Sequence, residues 1–216
     1  GSYTTCSVMS DGAAFCWGDN RFGQLGIGST ANASSPVQVF GLTTVRTIDT
    51  GYRTCSIMQD DSLRCWGDTP VGDGSTTFST SPKAIDLGQG VRDVSTATHV
   101  PTTSPIYHTC AALMDGSVRC WGVNNSEQLG VPTVASSDAP VAAGATGVQQ
   151  VAAGGAHTCA VGSSGTQCWG QAANLGNATS TGGAEPVLVG DVFSVEEVVA
   201  GGGHGCARQN DGTVKC

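Results

Sequence analysis

The chain has 216 residues, of which 32 are Gly and ten are Cys; 12% are charged and the formal net charge is −8. Its nine basic residues are spread without forming a patch, which argues against phosphate-mediated nucleic acid binding and against an anionic membrane surface as partner. No apolar run approaches the roughly 18 residues that a membrane-inserted helix needs, so no membrane insertion is expected.

Taken in chain order, the elements are organised by cysteine pairs. If Cys6 faces Cys16 across an antiparallel hairpin, the loop between the strands is Ser10-Asp11-Gly12. Such three-residue loops end on a left-handed residue, where Gly is least strained. Trp17-Gly18 follows at once, then Gly23-Gln24-Leu25-Gly26, and Pro36-Val37 opens a further strand. Val45 to Ile48 leads into the second pair, Cys55 and Cys65, whose loop Gln59-Asp60-Asp61 puts Asp in the left-handed slot. Trp66-Gly67 and Pro82 follow it. Val91 to Val94 precedes Cys110 and Cys120, which bracket Met114-Asp115-Gly116 and are followed by Trp121-Gly122 and Pro140-Val141. Val148 to Val151 precedes Cys159 and Cys168. These are nine positions apart, so their loop holds an even number of residues, Ser163-Ser164 or Gly162 to Gly165. Trp169-Gly170 and Pro186-Val187 come next, and Val195 to Val198 leads into Cys206 and Cys216 around Asn210-Asp211-Gly212.

The first cysteines of successive pairs are 49, 55, 49 and 47 residues apart. A period near fifty indicates stacked supersecondary units. Each unit supplies one strand before the hairpin, two in it and one after the long turn. The expected fold is therefore all-β, with propeller-type blades of about four short antiparallel strands. Residues 1–216 read as one repeat array, with repeats starting at Cys6, Cys55, Cys110 and Cys159 and a partial one at Cys206, forming a partial or open propeller. The pairing predicts five cross-strand disulfides, each contributing roughly 2–3 kcal/mol in the chain-entropy model. The spacing does not suit zinc, and Cys-x-x-Cys is absent. Buried free cysteines are the alternative that the spacing leaves. Disulfides imply an extracellular, cell-surface or periplasmic location. No signal peptide opens the chain, as expected of a mature or truncated one.

Further recurrences narrow the class. Val148-Gln-Gln-Val151-Ala-Ala-Gly154-Gly155-Ala-His157 parallels Val195-Glu-Glu-Val-Val-Ala-Gly201-Gly-Gly-His204, and Gly-Gln-Leu-Gly at Gly23 to Gly26 returns as Glu-Gln-Leu-Gly at Glu127 to Gly130 and Asn-Leu-Gly at Asn174 to Gly176. Together with Trp-Gly, these motifs resemble the regulator-of-chromosome-condensation repeat family along essentially the whole chain. The second repeat departs from the pattern, keeping only Val71-Gly72. The resemblance implies a β-propeller, usually seven-bladed in this family, which at this repeat size takes about 350 residues. Gly1 aligns with Gly154 and Gly201, so the chain is expected to be part of a longer protein or its ordered part. Family members include a nucleotide-exchange factor and an inhibitor of β-lactamases, but no contact residue of either carries over by motif.

His108, His157 and His204 each stand two before a cysteine, with Thr4 and Arg53 in the equivalent places. Equivalent residues of successive blades lie along an arc rather than around a point, so a structural hydrogen bond is expected and no metal site. The Asp-Gly turns lack a calcium-loop pattern, and the tryptophans, one after each bridged strand, read as blade packing rather than a sugar-binding row. No catalytic fingerprint and no cofactor motif is present. Asn32, Asn124 and Asn177 open glycosylation triplets. The most individual segment, Thr98 to Tyr107, lengthens one period; such insertions emerge as loops on one propeller face. Two readings stay open for it, a plain surface loop and a binding loop carried by His99, Pro101, Pro105 and Tyr107, with Tyr52 and Arg53 at the same strand junctions. The expected function is a secreted or cell-surface, non-enzymatic protein-interaction scaffold. The alternative is a structural subunit of an extracellular filament, coat or adhesive appendage assembled head-to-tail, and the least favoured reading is a polysaccharide-acting enzyme. The partner is expected to be a protein or another copy of the chain, and a glycan partner stays open.

Overall fold

The computed structural model describes residues 3–97, 107–178, 181–190 and 192–216. The chain divides into two compact units, Gly1–Val91 and Arg92–Cys216. In the first, β1 (Thr4–Val8), β2 (Ala14–Gly18) and β3 (Ala33–Gln38) form one antiparallel sheet, and β4 (Val45–Thr50), β5 (Arg53–Met58), β6 (Leu63–Gly67) and β7 (Ser79–Ile85) form another. Two four-stranded sheets follow: β8 (Val91–Thr96) with β9 (His108–Leu113), β10 (Val118–Val123) and β11 (Ser136–Ala143), then β12 (Val148–Ala153) with β13 (His157–Gly162), β14 (Gly165–Gly170) and β15 (Gly183–Leu188). The last sheet is β16 (Val195–Ala200), β17 (Gly205–Gln209) and β18 (Val214–Lys215). In every sheet the strands are antiparallel and lie in chain order, which is the propeller-blade pattern. Among the described residues, no helix is long and apolar enough to cross a membrane.

The prolines mark a recurrent irregularity. Cys16 pairs with Val37 but Gly18 with Ala33, so the edge strand carries two extra residues between these partners. The same shift separates Cys65–Lys83 from Gly67–Ser79, Cys120–Val141 from Gly122–Ser137, and Cys168–Val187 from Gly170–Gly183. Pro36, Pro82, Pro140 and Pro186 each fall inside this bulge, where the ladder needs no N–H. The glycine after each tryptophan is required on the other side of the bulge. Gly18, Gly67, Gly122 and Gly170 have φ between +97° and +114°, and a Cβ on Gly18 would lie 2.2 Å from the Tyr3 carbonyl oxygen.

Within each unit the described core clusters lie between successive sheets. In the first unit Ala14, Cys16, Leu25, Val39, Leu42, Val45, Met58 and Trp66 form one cluster. In the second, Cys110, Cys120, Leu129, Val148, Val151 and Trp169 belong to one cluster, and Cys159, Cys168, Leu175 and Val198 to another. In the second unit, a leading strand ties to the next by a side chain. Asp93 Oδ2 accepts from the Val151 amide at 2.9 Å, and Gln150 Oε1 from the equivalent Val198 amide at 2.8 Å.

Candidate interaction surface

The hairpins are built as their spacing predicts. Cys6 pairs with Cys16, Cys55 with Cys65, Cys110 with Cys120 and Cys159 with Cys168 directly across the ladder. All five pairs, including Cys206–Cys216, are disulfide-bonded, with Cα atoms 4.1 Å apart. Gly12, Asp61, Gly116 and Gly212 occupy the left-handed end of their three-residue loops. The short hairpin turns on Ser163-Ser164, since Gly162 pairs with Gly165. The loop aspartates serve these turns. Asp60 accepts from the Ser62 hydroxyl and amide, which hold its carboxyl below the ordinary range, and Thr213 does the same for Asp211.

Of the residues two before each first cysteine, Thr4, Arg53 and His108 make the expected structural hydrogen bond, whereas the enclosed His157 does not. Thr4 Oγ1 donates to the Asp19 carbonyl at 2.9 Å. Arg53 is 3% exposed and donates to the carbonyls of Asp68 and Thr69, both at 3.3 Å. His108 Nε2 lies 2.7 Å from Thr158 Oγ1. His157 is fully buried, neither ring nitrogen has a partner, and burial, with His204 adding a smaller effect, lowers its pKa to about 4. His204 is exposed.

The Gly-Gln-Leu-Gly segment and the tryptophans form a single device, which the sequence did not link. The Gln24 carbonyl accepts from Thr54 Oγ1 at 2.8 Å and from Trp66 Nε1 at 2.9 Å. In the second unit the Gln128 carbonyl accepts from Thr158 Oγ1 at 2.8 Å and Trp169 Nε1 at 2.9 Å. The loop of one repeat thus clasps the Trp of the next. Asn20 and Asn124 organise these loops. The Asn124 amide donates to the carbonyls of Val131 and Val134, both at 2.7 Å, and accepts from the Leu129 amide at 2.8 Å.

Solvent-facing chemistry gathers at the Trp-Gly ends of the first unit's sheets. Tyr3 is 68% exposed. Phe22 and Tyr52 pack with ring centroids 6.0 Å apart at 59°. Arg21 lies beside them, its Nε 3.0 Å from Asp19 Oδ2. The Asp19 hydrogen bond and charge raise the Arg21 pKa, with smaller contributions from Tyr52 and Tyr3. Of the candidate binding-loop residues, Tyr52 therefore belongs to this cluster and Arg53 to the interior. Tyr107 is half-buried, and its carbonyl accepts from the Val123 amide at 2.8 Å. His99, Pro101 and Pro105 lie outside the described residues. Tyr3, Tyr52 and Tyr107 each stand three before a first cysteine, a recurrence that spacing alone could have revealed. Phe22 and Arg21 gave no such signal, because they reach the cluster through the long turn.

Residues 11–57 and 115–161 match the family model described as Regulator of chromosome condensation (RCC1) repeat. Among solved structures, human WBSCR16 is similar with a TM-score of 0.80 at 21% identity, over 98% of this chain and 58% of that one. Prp20p from Saccharomyces cerevisiae, whose binding to Gsp1p and histones is described, gives 0.81 at 18% identity, over 99% and 55%. The CRINKLY WD40 ectodomain of the Arabidopsis thaliana receptor kinase ACR4 gives 0.54 at 18%, over 97% and 57%. The chain spans just over half the length of each of these proteins. At such identities the likeness establishes the fold.

Proposed function

We propose, from the premise that this chain belongs to the Regulator of chromosome condensation (RCC1) repeat family, that it is a secreted or cell-surface, non-enzymatic scaffold that binds a protein partner. The observation carrying this reading is the cluster of Tyr3, Arg21, Phe22 and Tyr52, since aromatic residues and Arg dominate the energetics of protein interfaces. It stands on disulfide-stapled sheets, so its backbone is pre-organised and little ordering entropy opposes binding. The fold is one on which relatives bind proteins: Prp20p is described with Gsp1p, histones and Kap60. The oxidising location rests on the five bridges, and receptor-kinase ectodomains supply a precedent for an extracellular propeller of this type.

The test compares the parent chain with a Tyr3→Ala/Arg21→Glu variant as baits for extracellular material from the source cells. The scaffold reading expects a discrete protein partner that the variant loses by at least tenfold. Identical recovery by both baits counts against the cluster. Ordered fibres of the native protein in electron micrographs count for a building-block role instead.

A further inference from the structure

The second repeat, which departs most from the recurring motifs, carries a half-open cavity of about 350 Å³ within the first unit. This is at the lower end of the roughly 300–1,000 Å³ that small-ligand sites occupy. The turn at Asp73 and the start of β7 wall it, where the edge strand bulges out of the ladder between Ser79 and Lys83. The ladder shows what is peculiar to this repeat. Lys83 pairs with Cys65, whereas the residues facing the second cysteine in other repeats are Val37, Val141 and Val187. Phe78 stands one before Ser79, where the other repeats have Asn32, Ser136 and Gly182. A lysine alone would serve to guard the sheet edge. What sets the place apart is that Lys83, the 49% exposed Phe78 and the Asp73 carboxylate line one cavity. Its shape is fixed by short bonds. Asp73 Oδ1 accepts from the Ser75 amide at 3.0 Å and from the Ser75 hydroxyl. These bonds, with a smaller effect of Lys83, hold the carboxyl below the ordinary range. The buried Ser79 donates its hydroxyl to the Ser81 carbonyl at 2.7 Å. The long turn of the first repeat braces the bulge: the Gly28 amide donates to the Thr80 carbonyl at 2.9 Å, and a Cβ on Gly23 would lie 2.7 Å from Thr80 Cα.

We propose that this cavity binds a neutral saccharide. A sugar presents hydroxyls at its rim and C–H groups on its faces, and the lining answers both. Phe78 supplies an aromatic ring, whose negative face attracts the C–H face of a pyranose. Asp73 Oδ2 takes no bond from the described residues and is an acceptor for sugar hydroxyls. The Lys83 ammonium brings three donors, and the hydroxyls of Thr77 and Ser81 both donate and accept. The one carboxylate and the one ammonium cancel, so the lining has no net charge with which to select an anion. One ring among many polar groups does not suit a wholly apolar ligand either. The site does not depend on the scaffold reading, because it shares no lining residue with the Tyr3, Arg21, Phe22 and Tyr52 cluster.

The experiment applies the oxidised chain and its Phe78→Ala, Phe78→Trp, Lys83→Met and Phe40→Ala variants, each first shown by circular dichroism to be folded, to an array of neutral, sialylated and sulfated glycans. The neutral glycan giving the strongest signal is then titrated by calorimetry. The parent chain is expected to bind neutral glycans, Phe78→Ala to raise the Kd at least tenfold and Phe78→Trp to restore it. Phe40→Ala, at a phenylalanine 70% exposed outside the cavity, is expected to leave the Kd unchanged. An array silent for neutral glycans, or equal Kd values for the parent and Phe78→Ala chains, would overturn the proposal, as would an equal loss in Phe40→Ala. Binding confined to sialylated or sulfated glycans and abolished by Lys83→Met would overturn the neutral class and make this an anion site.

Discussion

Two histidines in equivalent positions differ because of one residue in the following repeat. Thr158 uses its hydroxyl hydrogen on the Gln128 carbonyl, so His108 must donate from Nε2 to Thr158 Oγ1. The corresponding partner for His157 would come from the position before Cys206, which is Gly205, and both His157 nitrogens are left unpartnered. A Cβ at Gly205 would meet Val199 O at 3.6 Å and Cys159 Sγ at 3.8 Å, ordinary contact distances. Gly205→Thr is therefore expected to stabilise the chain by about 1–2 kcal/mol, from a new hydrogen bond and removal of a strand glycine. Denaturant titration checks this, and the gain should shrink when His157 is replaced by Phe. Burial makes His157 a pH-sensitive group as well. Its pKa is about 4 in the fold against 6.5 unfolded, so between these values the unfolded chain binds the extra proton. Stability is full above pH 6.5 and falls as pH drops through 4; a His157→Gln variant should lose most of that acid slope. A pH series of melting curves on both chains would decide it. Asn124 carries a third expectation. Its side chain is 3% exposed and holds three loop hydrogen bonds, so mass spectrometry of native material should find this triplet unglycosylated.

The hairpin and its clasp are the repeating element, and its parts were unequally readable. The ten-residue cysteine spacing and the Asp-Gly loops were legible because a hairpin's register follows from loop length alone, whereas counting left Ser163-Ser164 and Gly162 to Gly165 both open for the shortened hairpin and the pairing of Gly162 with Gly165 decides for the first. Even Asp61 in the left-handed slot, φ +63°, followed from counting. The strands at Pro36 and Pro82 were legible, but the proline that was expected to open each lies inside it, at the two-residue bulge, since spacing says nothing about how a long turn re-enters the ladder. The clasp was hidden for a deeper reason: Gln24 acts through its backbone carbonyl, and Trp66 is 42 residues away. The aromatic cluster was half visible, with Tyr52 named at the strand junction while Phe22 arrives from the preceding repeat. The clasp predicts a graded tryptophan series. Trp66 and Trp169 are fully buried, whereas Trp17 is half-exposed. Replacing Trp66 or Trp169 by Ala should cost about 3–5 kcal/mol, and Trp17→Ala clearly less. Trp66→Phe should cost about 1–2 kcal/mol, the loss of the indole N–H bond with Thr54 left on the Gln24 carbonyl. Equal losses at Trp17 and Trp66 in chemical denaturation would mean that the clasp carries no specific weight.

At the scale of the molecule the question is what holds short, glycine-rich sheets together. The cores between sheets are narrow and are built largely from Ala, Val and the cystines themselves: Cys16, Cys110, Cys120, Cys159 and Cys168 are core residues. Reduction therefore acts twice. It restores freedom to the unfolded chain, and it puts thiols where a bridged pair had filled the space between sheets. Each bridge closes a loop worth about 2–3 kcal/mol, and the five together are comparable to the 5–15 kcal/mol that separates a folded domain from its unfolded state. Surface ion pairs give little to set against this, since Arg208 with Glu196 and Glu197 is substantially exposed. The fully reduced chain is accordingly expected to unfold under conditions where the oxidised one is stable, seen as loss of β-sheet circular dichroism and rapid proteolysis in dithiothreitol. Because repeat arrays lose cooperativity when neighbours are weakened unequally, removing only Cys55–Cys65 should open the first unit before the second, with protease cuts confined at first to residues before Arg92. A reduced chain that keeps its melting temperature within a few degrees of the oxidised one would mean that the bridges are incidental to the fold and that the fold needs no oxidising compartment.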